Sequence, residues 1–251
     1  MHRLLVETAL LDSDSPVLPA DAAKHLKVLR PKAGEEIELF DGHGRYRVFR
    51  VSGFRFQEKG CLVPVSQTCN MKPATCNLTL FACVTKGSRW DWTIEKATEL
   101  GVTRIVPVIS DRTIVRIPKE ERAAKRARWQ RIAEDAARQS DAKWLPEICE
   151  PVDFRDALAL VKETTCFIGA LMDLPPRPLM AAVAEGVRDQ GSGIRLGVFV
   201  GPEGDFTPEE LKALLEIAIP TSFGPTVLRA ETAAIYAVSV VQAALQERQK
   251  R

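Results

Sequence analysis

A single arginine stands directly before the last apolar segment of the chain, in FGPTVLRAETAAIYAVSVV, residues 223–241. Arg229 follows a Gly-Pro turn and precedes a stretch poor in charge, which is expected to form a buried helix. The N-terminus of a helix is the positive end of its dipole and disfavours a nearby cation. Arg229 is therefore expected either to pair with Glu231 or to face a ligand that the chain does not supply.

A second Gly-Pro loop lies in VFVGPEGDFTPEEL, residues 198–211. A buried strand is expected to end at Val200, followed by the loop Gly201–Gly204 and by a helix with Thr207 and Glu210 as its capping box. Ligands of open α/β sheets bind outside the carboxyl ends of strands, where glycines let the backbone approach them. The two loops predict a shared pocket with backbone groups and apolar walls, and plain strand–turn–helix connections are the alternative.

Several common catalytic arrangements are missing from the sequence. It contains no G-x-x-x-x-G-K-[ST], no G-x-G-x-x-G opening a helix and no G-x-S-x-G, which argues against a P-loop, a dinucleotide fingerprint and a nucleophile elbow. The three histidines, His2, His25 and His43, all precede residue 44, which disfavours a hydrolase triad in the rest of the chain. The six cysteines form no C-x-x-C pair, which argues against a zinc site and fits a reducing cytosol.

The pattern of apolar and polar residues changes near residue 70. Before it, alternating segments predict a small β-rich module with one helix at residues 19–30. After it, apolar strands alternate with helices, which predicts a mostly parallel sheet covered on both faces. The predicted strands lie at residues 35–42, 45–54, 60–67, 77–84, 102–110, 164–171 and 195–201. The predicted later helices lie at residues 89–101, 119–140, 207–218 and 231–249.

Composition bounds the class of protein. The 251 residues are 45% hydrophobic and 27% charged, as in ordinary globular proteins. A net charge of +2 is too small to indicate a nucleic-acid partner, so any such contact must come from local patches. No signal peptide is apparent, and the longest apolar stretch is shorter than the ~20 residues of a membrane span. These features predict a soluble cytoplasmic protein.

Together these motifs resemble the RsmE family of 16S ribosomal RNA uracil-N3 methyltransferases, which belong to the SPOUT class. The resemblance is carried by GPEGDFTPEE and FGPTVLRAETAAIYA, by KGSRWDWTIEKATELGVTRIVPVISDRTIV and RWQRIAEDAARQS in the centre, and by HLKVLRPKAGEEIELFDGHG near the start. It implies a small β-rich PUA-like barrel at residues 1–72. A SPOUT-type parallel-sheet methyltransferase domain with a C-terminal trefoil knot would follow at residues 73–251.

The sequence departs from the family pattern at two positions. Asp205 stands where the family usually has a second glycine, and Ala230 stands where it usually has threonine. The first change adds a carboxylate beside the cofactor loop, and the second removes a hydroxyl beside Arg229. Both bear on the details of the pocket.

The resemblance also implies a cofactor, S-adenosyl-L-methionine, held mainly by backbone groups of the C-terminal loops. No metal is implied. The positions carried over as cofactor-binding are Leu171, Val200, Gly201, Glu203, Gly204, Gly224, Val227 and Leu228.

Arg229 is the expected catalytic residue. Its guanidinium stays protonated near neutral pH and could stabilise the negative charge that develops on the uracil carbonyls when N3 loses its proton. Glu231 is a weak candidate for the general base, and a carboxylate favoured by the helix dipole is an equal explanation.

RNA contact is expected from basic patches in the N-terminal module. The residues predicted to bind RNA are Arg3, His25, Lys27 and Arg30. Further basic clusters lie at residues 45–50 and 125–131, although each such cluster taken alone is more often a solvated face. Trp129 is expected in the core. The family resemblance implies a homodimer and a small-subunit rRNA substrate. Two alternatives are a SPOUT enzyme acting on another base or a ribose, and a non-enzymatic RNA-binding protein.

Overall fold

The chain folds into two compact units. The computed structural model describes residues 1–71, 76–169, 177–187 and 193–249. The first unit comprises Met1–Pro73 with Ala137–Leu145, and the second comprises Ala74–Ala136 with Pro146–Arg251. The boundary expected after residue 72 lies next to the first of these divisions. The return of residues 137–145 to the first unit was not predicted.

The first unit is built on a five-stranded sheet. Its strands are β1 (His2–Leu5), β2 (Glu36–Phe40), β3 (Arg45–Val51), β4 (Leu62–Pro64) and β5 (Cys69–Asn70), with helices α1 (Thr8–Leu11) and α2 (Ala20–Leu29). β1 is parallel to β2, and the remaining pairs are antiparallel. Alternate residues of the strands pack with Leu26 of α2 and with Phe56 in one apolar core.

The second unit contains a seven-stranded sheet whose paired strands are all parallel. Its strands are β6 (Cys76–Cys83), β7 (Arg104–Ile109), β8 (Glu147–Ile148), β9 (Val152–Asp153), β10 (Thr165–Gly169), β11 (Ile194–Val200) and β12 (Ala218–Thr221). The order is β12-β10-β11-β6-β7-β8, with β9 also paired to β7. The predicted parallel sheet is confirmed, and the carboxyl ends of its strands meet at one edge.

Helices α3 (Ser88–Glu99), α5 (Phe154–Ala159), α6 (Leu179–Gly186), α7 (Pro208–Leu215) and α8 (Ala230–Gln249) belong to the second unit, and α4 (Lys119–Gln139) runs from it into the first. The capping box of α7 is confirmed. The N–H of Glu210 donates to Thr207 Oγ1 at 3.2 Å, and Glu210 Oε2 accepts from the N–H of Thr207 at 3.0 Å. This start fixes where the loop after β11 must end.

Trp129 of α4 is buried, as predicted, and its ring lies edge-on to Trp90 of α3 at 5.5 Å between centroids. Within the described ranges, no helix combines the length and the apolar character needed to cross a membrane.

Candidate functional site

The two Gly-Pro loops line one cavity of about 310 Å³ at the carboxyl edge of the second unit's sheet. One loop follows β11 and the other follows β12, and both strands pair with β10, which ends at Gly169. The cavity is lined by Gly169, Val200, Gly201, Pro202, Glu203, Asp205, Ser222, Phe223, Gly224, Thr226, Val227, Leu228, Arg229, Ala230 and Ala233. Parallel pairing on either side of β10 thus brings together two loops that lie some 20 residues apart in sequence.

Most residues predicted around the cofactor lie in this cavity. The lining includes Val200, Gly201, Glu203, Gly224, Val227 and Leu228, as well as Arg229. Gly204 is not among the lining residues, and its carbonyl instead accepts a hydrogen bond from Arg112 Nη1 at 2.9 Å. Leu171 lies outside the described residues.

The side chain of Arg229 is available to a ligand. It is exposed and lines the cavity, and it makes no ion pair or side-chain hydrogen bond to any residue of the described ranges. In particular, no contact joins it to Glu231. Of the two expectations for Arg229, the described geometry supports the one in which it faces a ligand.

Glu231 lies in the first turn of α8 but is not among the residues lining the cavity. Its Oε2 atom is buried and has no hydrogen-bond partner in the part of the chain that the structure describes. This placement favours the helix-dipole explanation for Glu231 over a role as a base.

Two carboxylates stand on the wall formed by the loop after β11. Glu203 forms an ion pair with Arg89 at 3.3 Å, so its charge is balanced. Asp205 has a left-handed backbone with φ of 58°, and its Oδ1 accepts a hydrogen bond from the N–H of Phe206 at 2.8 Å. The cavity therefore combines apolar walls with one free cation, Arg229, and carboxylates on the facing loop.

Two arginines from neighbouring strand ends fasten this loop. Arg89 lies in α3 after β6, and Arg112 follows β7 and donates to the carbonyls of Gly204 and Phe206. Neither residue stood out in the sequence, because each is distant in the chain from the loop that it holds. The only sequence sign was that each follows a predicted parallel strand.

Close packing explains the glycines at the floor of the cavity. A Cβ atom on Gly169 would lie 2.5 Å from the ring of Phe223, and one on Gly201 would lie 3.2 Å from Asp205 Oδ1 and from the ring of Phe206. The ring of Phe223 packs in turn on Tyr236 of α8 at 5.6 Å. The cavity was predicted from its two loops, whereas the close contact between Gly169 and Phe223 was not.

The residues predicted to bind RNA fall into two groups. His25, Lys27 and Arg30 are exposed at the surface of α2 and at its end. Lys24 and Val28 are exposed beside them, so this face of α2 offers cations and some apolar area. The geometry is compatible with an RNA contact, which stays a prediction.

Arg3 has a different environment, because it is only 8% exposed. Its guanidinium bonds Glu38 Oε1 at 2.8 Å, the carbonyl of Ala137 at 2.6 Å and the carbonyl of Ala142 at 3.0 Å. Lys143 Nζ binds the same Glu38 at 2.6 Å. These contacts give Arg3 a structural role within the first unit, and its burial lends no support to the predicted RNA contact.

The basic cluster at residues 45–50 is also largely engaged by the protein. Arg47 bonds Asp14 and the carbonyl of Ser66, and Arg50 pairs with Glu36.

Of the described residues, no group of three or more His, Cys, Asp or Glu side chains is arranged to hold a metal ion.

Comparisons with known proteins agree with this architecture. The RNA methyltransferase domain family matches residues 72–242, and the RNA methyltransferase PUA domain matches residues 18–53. The ribosomal RNA small subunit methyltransferase E of Bacillus subtilis strain 168 is 26% identical over 217 residues, which cover 86% of this chain and 84% of that protein.

Two solved structures share the whole fold. A Legionella pneumophila protein in complex with its bound cofactor SAM is 28% identical, covers 96% of this chain and 97% of its own, and gives a TM-score of 0.80. The ribosomal RNA small subunit methyltransferase E of Neisseria gonorrhoeae, bound to S-adenosyl methionine, is 30% identical over 97% of each chain, with a TM-score of 0.79. The chain therefore belongs to the RNA methyltransferase family of ribosomal RNA small subunit methyltransferase E.

Proposed function

We propose that the protein transfers a methyl group from S-adenosyl-L-methionine to N3 of a uridine in 16S rRNA of the small ribosomal subunit. Its relatives are named as ribosomal RNA small subunit methyltransferases, and two solved neighbours hold this cofactor. The observation that carries the proposal is the free guanidinium of Arg229 in a cavity built from the two Gly-Pro loops. The substrate implies action in the cytoplasm.

The residues of the cavity fit the proposed cofactor. A volume of about 310 Å³ lies within the range of small-molecule sites. Val200, Val227, Leu228 and Ala233 supply apolar surface suited to an adenosine, and the glycines leave backbone groups accessible. When bound, S-adenosyl-L-methionine supplies an electrophilic methyl group on a positively charged sulfur.

Arg229 would act on the uracil. N3 of uracil carries a proton and is a poor nucleophile until that proton has left, at which point negative charge spreads to the neighbouring carbonyl oxygens. A guanidinium stays charged at neutral pH and donates hydrogen bonds, so it would stabilise that charge without acting as a base. The apolar walls would strengthen this interaction by excluding water.

The arrangement of the loops would supply orientation. Arg89 and Arg112 hold the loop after β11, while Phe223 packs between Gly169 and Tyr236 and supports the loop after β12. Fixed walls reduce the motional freedom that the reacting groups must lose, which lowers the barrier to transfer.

Three further features form part of the proposal. The exposed face of α2, with His25, Lys27 and Arg30, would contact RNA phosphates, where Lys and Arg provide a salt-dependent attraction. The C-terminal loops would form a trefoil knot, a rare topology suggested by the family resemblance and supported by loops that follow strands on either side of β10. The protein would act as a homodimer.

The test is nucleoside mass spectrometry. Purified protein is incubated with isotope-labelled S-adenosyl-L-methionine and small ribosomal subunits from cells that lack the modification. We expect labelled 3-methyluridine from the unchanged protein, and about 10²–10³-fold slower labelling by Arg229→Ala, the usual loss on removing one charge-stabilising donor. Cofactor affinity, measured by calorimetry, should change much less.

Arg195→Ala is the matched control. Arg195 is an exposed arginine near the start of β11, at the end opposite the cavity, and pairs with Glu163. This variant should label like the unchanged protein. A different labelled nucleoside would move the specificity to another RNA position, and absence of both label and cofactor binding would favour the non-enzymatic alternative.

A further inference from the structure

The wall of the cavity carries one negative charge that no described residue balances. Of the two carboxylates that line it, Glu203 is paired with Arg89. Asp205 makes no ion pair with any residue of the described ranges. Its Oδ1 accepts one hydrogen bond, from the N–H of Phe206, and this bond leaves the second oxygen free of protein donors there.

The backbone holds this carboxylate in place. Asp205 adopts φ of 58°, a left-handed conformation that aspartate and asparagine tolerate better than most residues. The N–H of Asp205 donates to the carbonyl of Pro202 at 2.9 Å, and its Oδ1 lies 3.2 Å from the position that a Cβ of Gly201 would occupy. The charge is therefore fixed beside the end of β11, within the cavity wall.

Arg229 is not the cationic partner of Asp205. It makes no contact with Asp205, and the proposed function assigns its charge to the uracil. A ligand that fills the cavity would thus meet an anchored carboxylate whose charge is unbalanced. Charges near a protein surface interact appreciably over several ångströms, most strongly where water is displaced.

The proposed cofactor differs from its product in this property. The amino acid end of S-adenosyl-L-methionine carries a carboxylate and an ammonium group that balance each other, so its net positive charge resides on the sulfonium. Loss of the methyl group leaves S-adenosylhomocysteine, a thioether with no net charge. We infer that Asp205 makes the cavity select the charged methyl donor over the uncharged product, and so eases product release. This inference rests on the proposed function.

The test compares three ligands by isothermal titration calorimetry at pH 7.5. S-adenosyl-L-methionine and sinefungin both carry positive charge at the reacting centre, and S-adenosylhomocysteine does not. Asp205→Asn is the sharpest variant, because asparagine keeps the left-handed backbone and can accept the bond from Phe206 but carries no charge. Asp205→Gly restores the residue that the family usually has.

In the unchanged protein we expect both charged ligands to bind more tightly, relative to S-adenosylhomocysteine, than they do in the variants. The dissociation constant of S-adenosylhomocysteine divided by that of each charged ligand should fall by about tenfold in Asp205→Asn and in Asp205→Gly alike. Raising the salt concentration should lower the ratio in the unchanged protein and leave it nearly constant in the variants.

Three results would overturn the inference. The ratio could stay unchanged in both variants, it could fall in Asp205→Gly but not in Asp205→Asn, or all three ligands could bind more weakly by the same factor. The second would make Asp205 a turn-forming residue only. The third would place its partner on a group that all three ligands share. If the unchanged protein bound none of the ligands, the proposed function itself would fail, which is a separate outcome.

Discussion

At the scale of single residues, the site depends as much on glycines as on charges. Gly169 ends β10 and faces the ring of Phe223, which forms part of the cavity wall. Its φ is not in the left-handed region, so the requirement for glycine at this position is purely steric. A methyl group here would push the ring toward the space that the ligand needs.

Gly169→Ala should therefore weaken cofactor binding and lower stability. The added Cβ would lie 2.5 Å from the Phe223 ring, so ring and loop must move, and overpacking of this kind costs about 1–3 kcal/mol. Thermal unfolding and calorimetry measure the two effects. Gly204→Ala is a suitable control, since its Cβ would meet only Arg112 side-chain atoms at 3.6 Å or more. Equal behaviour of the two variants would contradict the steric account.

The sequence predicted individual residues unevenly. Arg229 was identified because a cation before an apolar helix conflicts with the helix dipole. The burial of Arg3 was not predicted, since two of the carbonyls that its guanidinium bonds lie more than 130 residues away in the chain. Composition around a residue cannot reveal partners at such separations.

At the scale of elements, the strongly patterned strands and helices were predicted, whereas most of the short ones, although not β4, were missed. The run Cys76–Cys83 reads as a buried strand because it is almost continuously apolar. β12 was missed because it has four residues and contains Pro220, and a proline is accepted here because β12 is an edge strand. β1 was missed because four residues give too little alternation to recognise.

Burial within the parallel sheet also sets the chemistry of its cysteines. Burial raises the pKa of Cys83 in β6 and of Cys166 in β10 to about 12, and that of Cys76 to about 11. In an unfolded chain these thiols would ionise near pH ~8.5. Since the folded state holds its protons to higher pH, the unfolded state binds fewer protons above that value and becomes relatively favoured.

Stability should consequently be unaffected by these thiols below about pH 8.5 and should fall as the pH rises from there toward their folded pKa values. At pH 10 each fully protected thiol would contribute a loss of about 2 kcal/mol. The free energy of unfolding of the second unit, measured by urea denaturation at several pH values between 7.5 and 10.5, gives the trend. Replacing Cys83 and Cys166 by alanine should flatten it, and a slope equal to that of the unchanged protein would contradict the assignment.

At the scale of the whole molecule, a buried ionic cluster ties residues 137–145 into the first unit. Glu38 is 2% exposed and lies between Arg3 and Lys143, which bond it at 2.8 Å and 2.6 Å. Each of the two cations comes from a different part of the chain. Asp141, whose side chain is largely exposed, also lies 3.2 Å from Arg3 and 2.7 Å from Lys143, so removing Glu38 would leave the two buried cations with this one exposed carboxylate.

Glu38→Ala should destabilise the first unit by about 3 kcal/mol, the lower end of the usual cost of breaking a buried ion pair from one side, because Asp141 still pairs with both cations. Hydrogen exchange followed by mass spectrometry should show faster exchange in peptides covering residues 36–40 and 137–145. Glu36→Ala is the control from the same strand, because its pair with Arg50 is exposed and is expected to contribute less than about 1 kcal/mol. If hydrogen exchange in these peptides were as slow in Glu38→Ala as in Glu36→Ala, the stabilising role of the buried ionic cluster would be contradicted.

The path of the chain through the two units limits which gene segments recombination could exchange. The chain passes from one unit to the other after residues 73, 136 and 145. A gene fragment that ended at residue 73 would encode Glu38 without Lys143, and so would carry a buried carboxylate with one of its two cations missing. Recombination at that single point would not transfer an intact first unit, so the two parts of this gene are expected to evolve as a linked pair.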